Sequence, residues 1–134
     1  MRPIWTIAAT TLFFTLAVPA IDATASCVAR KEIHGIWNGN DSSTYYVTRR
    51  GNAIWWLGKS NDGKSWANVF KGTLNGNTID GEFADVYGNM DGNGGTLRLQ
   101  IVRTQSGAQG GIDHIKFVSS SAGFGTKRWT YSCG

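Results

Sequence analysis

Residues 65–86 read SWANVFKGTLNGNTIDGEFADV, and this stretch decides the fold. At its centre stands Asn75-Gly76. Both residues tolerate positive φ, so the pair is a strong signal for a two-residue hairpin loop. After it, Ile79, Gly81 and Phe83 alternate with Asp80 and Glu82. That period of two belongs to a strand with one face in and one face out. Strands are therefore predicted at Ser65 to Leu74 and Asn77 to Val86, paired antiparallel.

The same pattern repeats outward in both directions. Upstream it gives strands at Lys31 to Asn38, Ser43 to Arg50 and Ala53 to Lys59. Downstream it gives Gly95 to Arg103, Ile112 to Ser119 and Thr126 to Ser132. Gly51-Asn52 and Asp62-Gly63 are the next best turn signals. Eight strands joined by short hairpins form a meander, and closing it removes both exposed edges. The prediction is all-β: an eight-stranded antiparallel up-and-down β-barrel, either filled with side chains or holding one small ligand. A two-sheet sandwich is the alternative, but its crossovers need longer connections. Parity from Trp37 predicts an inner lining of Ile33, Gly35, Trp37, Ile79, Phe83, Leu97, Leu99, Ile101, Ile115, Phe117 and Trp129. Trp55 and Trp56 are neighbours on one strand, so one faces in and the other out.

Composition agrees. The chain has 134 residues with 18 glycines and only two prolines, Pro3 and Pro19. Residues 1–25 read as a secretory signal: Arg2, an apolar run from Ile4 to Val18, then Ala23-Thr24-Ala25 for cleavage. The run is shorter than the ~20 residues a membrane span requires. The expected mature chain, 26–134, is one domain without a span, secreted or periplasmic. Cys27 and Cys133 sit at its two ends. In an oxidising compartment a disulfide between them is expected. Closing so long a loop is worth about 4–5 kcal/mol in the chain-entropy model. The net charge is +4. Basic residues are scattered apart from Arg30-Lys31, Arg49-Arg50 and Lys127-Arg128, which is a solvated surface rather than a nucleic-acid footprint.

Gly35-Ile36-Trp37 on the first strand, with a cationic residue on the last, resembles the calycin superfamily of lipocalins and avidins. The resemblance implies that Trp37 plugs one end of the barrel under Lys127 or Arg128. The stretch Gly35 to Thr48 (GIWNGNDSSTYYVT) is similar to the opening of bacterial avidins. There an Asn and a Ser bind the ureido group of biotin, which would be Asn38 or Asn40 and Ser42 or Ser43. The middle segment, with Trp55-Trp56, Val69 to Gly72 and Gly81 to Asp85, resembles small exported bacterial proteins.

No catalytic constellation assembles. His34 and His114 have no second ligand at metal spacing, and Asp113 and His114 should face opposite sides. G-x-S-x-G and H-E-x-x-H are absent. Asp80 and Glu82 share a face at a spacing that invites a glycosidase reading, but a solvated outer face suits them better. Asn89 to Gly94 mimics half an EF-hand loop, with Gln100 where the closing Glu belongs. The chain is therefore expected to be non-enzymatic, with no cofactor and no metal.

The leading expectation is a barrel that binds a small or medium ligand. The alternatives are a protein-binding barrel such as a protease inhibitor, or a glycan-binding module with an external Trp stripe. Candidate ligand contacts are Asn38, Asn40, Ser43, Tyr45, Trp56, Trp66, Tyr87 and Phe124. The mouth is expected where the longer polar loops gather, near Gly39 to Ser42, Ser60 to Lys64, Tyr87 to Gly94 and Ser120 to Gly125.

Overall fold

The period of two read along the chain becomes the two faces of a closed sheet. A computed structural model describes residues 31–88, 92–104 and 110–133. Its strands are β1 (Gly35–Gly39), β2 (Thr44–Arg50), β3 (Ala53–Lys59), β4 (Ala67–Asn75), β5 (Thr78–Tyr87), β6 (Gly94–Arg103), β7 (Ile112–Ser120) and β8 (Arg128–Tyr131). Each pairs antiparallel with its chain neighbour, and β1 pairs with β8 through Trp37↔Tyr131, Asn38↔Thr130 and Gly39↔Trp129. This is the up-and-down barrel predicted, and one sheet closed on itself excludes the sandwich. The signal segment 1–25 and Cys27 lie outside the described residues. Among the described residues, no helix is long and apolar enough to cross a membrane.

The tight turns gather at one end. Arg50 pairs with Ala53 around Gly51-Asn52, as expected. Asn75 pairs with Thr78, so the next loop is Gly76-Asn77, one residue later than predicted. Gly76 has φ +62°. With Gly at the first loop position the twist of the hairpin is satisfied, and Asn75 stays in the ladder. The Arg103 guanidinium ties this end together. It donates to Asn77 Oδ1 at 2.9 Å, to the Gly110 carbonyl at 2.9 Å and to the Lys31 carbonyl at 3.2 Å.

The interior is filled, and it is graded. Ile33, Ile54, Leu74, Ile79, Ile101 and Ile112 are buried toward the tight-turn end. Tyr45, Trp56, Phe83, Phe124 and Trp129 are buried toward the other. Trp37 is fully buried between these layers; its indole N–H donates to the Ile33 carbonyl at 2.6 Å, toward the tight-turn end. Its ring is met edge-on by Tyr131, with centroids 5.5 Å apart. The basic cover implied by the calycin resemblance takes another form. Lys127 Nζ lies over Phe117, 3.7 Å from the ring centroid, and Arg128 is exposed near Asp113. Trp129 faces in, so its neighbour Arg128 must face out.

Two lining residues differ from expectation. Phe117 is only partly buried, because β7 outruns the short β8, whose ladder with it is only Ile115↔Trp129 and Lys116↔Arg128. Gly35 is half-buried at φ +137°, and the Tyr131 ring occupies the space a side chain would take. A third correction concerns Asp113 and His114. Val102 pairs with His114 and Arg103 with Ile112, leaving Asp113 as the extra residue of a bulge. A bulge breaks the alternation, and His114 Nδ1 lies 2.5 Å from Asp113 Oδ2.

Glycines make room for the aromatic filling. Gly72 and Gly81 face each other across β4 and β5, and the Phe70 ring lies against both. A Cβ on Gly81 would meet the Lys71 carbonyl, Gly72 Cα at 2.5 Å and the Phe70 ring at 2.7 Å. Gly81→Ala should therefore cost about 1–3 kcal/mol, as overpacking does. Gly123→Ala, with nothing within 4 Å of its Cβ, should stay within about 0.5 kcal/mol. Urea unfolding midpoints check both, and an unchanged midpoint for Gly81→Ala would contradict this packing.

Candidate functional site

At the end away from the tight turns, the longer loops surround a cavity of about 630 Å³. Three of the four predicted mouth segments contribute; of the fourth, Ser60 to Lys64, no residue lines the cavity, and the residues that follow it do instead. Asp41 comes from the β1–β2 loop, and Ser65 and Trp66 from the loop before β4. Tyr87 comes from the end of β5, Gly88 and Asn93 from the β5–β6 connection, and Gly123 to Lys127 from the segment before β8. Tyr45 and Asn68 reach it from β2 and β4. Residues 89–91 lie outside the described residues, so the EF-hand-like stretch is described only in part.

A polar chain underlies the rim. Thr126 Oγ1 donates to Asp41 Oδ2 at 2.9 Å, which uses its single proton. The Tyr45 hydroxyl, 2.7 Å from Thr126 Oγ1, is then the donor in that contact. Ser43 Oγ donates to Asp41 Oδ1 in a short contact. Burial pushes the Tyr45 phenol above its ordinary pKa, which keeps the donor protonated. Below this chain lies an aromatic floor. Tyr45 meets Trp56 and Trp129 edge-on at 5.2 and 5.6 Å, and Trp56 stacks on Phe70 at 4.3 Å. Such pairs add about 0.5–1.5 kcal/mol each beyond area burial. The Trp56 indole N–H donates to Asn68 Oδ1 at 2.9 Å. The buried Trp129 Nε1 has no hydrogen-bond partner among the described residues.

The predicted contacts divide. Tyr45, Trp66, Tyr87 and Phe124 line the cavity together. Ser43 and Trp56 are buried behind it, Ser43 in the polar chain and Trp56 in the floor. Asn40 is exposed, and its Oδ1 accepts from the Lys127 and Arg128 backbone N–H groups at 2.9 and 3.3 Å. It fastens the loop to β8 instead of facing the cavity. Asn38 is exposed on the outer wall, because Trp37 beside it points in.

The sequence places Asp41 in a mouth loop without making it a ligand contact, and Asp85, Asn68, Asn93, Thr126 and Lys127 are not among the predicted ligand contacts either. Asp85 had a usable signal, since it lies two residues after inward-facing Phe83. Asn68 pairs with Asp85 and Ala67 with Tyr87, so Val86 is an extra residue at the rim. Thr126 had no local signal, because its partners Asp41 and Tyr45 lie at the other end of the sequence.

The outer wall holds the remaining candidates. Asp80 is exposed and paired with Arg98, Nε to Oδ1 at 2.6 Å, which raises the guanidinium pKa further. Glu82 is exposed on the same wall. Ile36, Tyr46, Leu57 and Val69 are cross-strand partners in one exposed apolar row. Trp55 also faces out, with Lys71 Nζ 4.8 Å from its ring centroid. Among the described residues, no group of three or more His, Cys, Asp or Glu side chains is placed to hold a metal ion. Comparison with protein-family models, curated proteins and solved structures finds no match.

Trp66 is positioned by an acidic turn. Asp62 accepts from Ser60 Oγ at 2.6 Å, from Ser65 Oγ at 2.5 Å, and from the Lys64 and Ser65 backbone N–H groups at 2.8 and 2.9 Å. These donors hold its carboxyl well below the usual carboxylate range. A depressed folded-state pKa gives stability that is present above the unfolded value and lost as pH falls through the folded one. The Asp62 carboxyl carbon should therefore titrate by NMR later than ordinary aspartates on acidification. Asp62→Asn should remove that part of the acid dependence and loosen Trp66. A titration at the ordinary aspartate value would contradict the turn.

Proposed function

We propose that this chain is an exported, non-enzymatic β-barrel that binds a small or medium ligand in the cavity at its open end. One observation carries the reading: four aromatic side chains from separate segments converge on one cavity with polar groups at its rim. Its volume of about 630 Å³ lies in the range of small-molecule sites. Aromatic walls supply contact area and a few polar groups fix orientation. Membership of the calycin superfamily belongs to this proposal, supported by Gly35-Ile36-Trp37 and by the closed eight-stranded barrel. A biotin-like site does not, since Asn38 and Asn40 face away from the cavity.

Export and a Cys27–Cys133 disulfide are part of the same proposal. Such a bond would join the chain before β1 to the chain after β8, across the seam that closes the barrel. The alternative of a protein-binding barrel is favoured by the exposed row from Ile36 to Val69.

Native mass spectrometry of the exported protein should reveal a bound small molecule. Trp66→Ala and Tyr87→Ala should each weaken its binding about tenfold or more, roughly 1.4 kcal/mol. Asn52→Ala, at the far end, should leave affinity unchanged. Loss on changing Asn52 with no effect at Trp66 and Tyr87 would overturn the assignment of the mouth.

Alkylation of the native protein without reductant should label no thiol, and reduction should expose two. Reduction should also lower stability by about 4 kcal/mol. Two labelled thiols in native material would overturn the disulfide.

A further inference from the structure

From the charges and rings at the open end, we infer that the cavity selects a cationic ligand, an ammonium group carrying apolar substituents. The inference rests on the cavity being a ligand site and goes on to name the ligand class.

Two carboxylates line the cavity, Asp41 and Asp85. Their hydrogen-bond partners are neutral: Ser43 and Thr126 donate to Asp41, and Asn93 Nδ2 donates to Asp85 Oδ2 at 2.7 Å. Among the described residues, neither carboxylate has a basic partner within ion-pair distance. Lys127 is the one basic lining residue. Its ammonium is already committed, donating to the Phe124 carbonyl at 2.6 Å and lying over the Phe117 ring. The protein as a whole is basic, yet the described lining of this cavity sets two carboxylates against one ammonium and is negative on balance.

Four aromatic residues line the same cavity: Tyr87 is exposed and Trp66 half-buried, while Phe124 and Tyr45 are buried. Aromatic rings attract a cation through the negative charge of their faces, and such cages favour alkylated ammonium groups, whose hydration is easily given up. A carboxylate guest would meet a lining that is negative on balance, and a neutral guest of the same shape would gain nothing from it. Partial exclusion of water strengthens the discrimination, since charges interact more strongly at lower effective dielectric.

The test uses three benzyl compounds on the complete exported protein: benzyltrimethylammonium, its isosteric neutral carbon analogue neopentylbenzene, and the anion phenylacetate. Binding is read from tryptophan fluorescence and confirmed by calorimetry. The expected order is cation over neutral compound by tenfold or more, with phenylacetate weakest. Added salt should weaken the cation alone. Asp85→Asn should reduce cation affinity about three- to tenfold and leave the neutral compound unchanged. Because Asp41 also anchors the rim, Asp41→Asn is read as the ratio of cation to neutral affinity, which should fall. Equal affinity for cation and neutral compound would overturn the charge inference while supporting the cavity as a ligand site. Preference for phenylacetate would do the same. Failure of all three to bind would also overturn it, and the native mass spectrum then decides separately whether the cavity holds anything.

Discussion

Everything in this molecule depends on β1 meeting β8. The seam is short, with three paired positions, and both strands are short. Closure leaves no unpaired sheet edge and fixes the interior volume, because eight strands enclose a space that side chains can just fill. Asn40 reinforces the seam from the mouth side by accepting from the backbone N–H groups of Lys127 and Arg128, where β8 begins. Ser132 reinforces it further, donating its N–H to the Ile36 carbonyl at 2.8 Å.

Inside that volume, rings and glycines are matched. Tyr45 pairs directly with Gly58 and lies over it, as Phe70 lies over Gly72 and Gly81. The exchange lets large rings enter a narrow barrel without pushing strands apart. Aliphatic side chains fill the tight-turn end, where two loops of two residues each bring strand ends close. Aromatic side chains fill the other end, where longer loops stand apart and the last rings are left lining a hollow. The cavity is thus what remains when a barrel is packed from one end with branched residues and from the other with flat ones.

Much of this was legible in the sequence, and for a local reason. Strand positions follow from a two-residue period and from turn residues, both of which are read within a dozen positions. The third strand came out residue for residue, and inward positions such as Leu97, Leu99 and Ile101 followed from parity. What failed was non-local or broke the period. Bulges at Val86, Asp113 and Val118 shift register on one strand only, which no single strand announces. Thr126 matters because of Asp41 and Tyr45, which become its neighbours only on closure. Asn38 was a misreading of available information: parity already placed it outside, and the family likeness drew it in.

Arg103 holds the far end shut from three directions, through Asn77, Gly110 and the chain before β1. Among the described residues, the packed interior there leaves the other end as the way in. Entry and exit share a single path, and any water displaced by a guest must leave past the guest itself. Release is then capture reversed through the same transition state, so rim contacts made only with the seated guest slow departure and leave arrival unchanged. Tuning residence time in such a vessel falls to the rim, while the packed end contributes only rigidity.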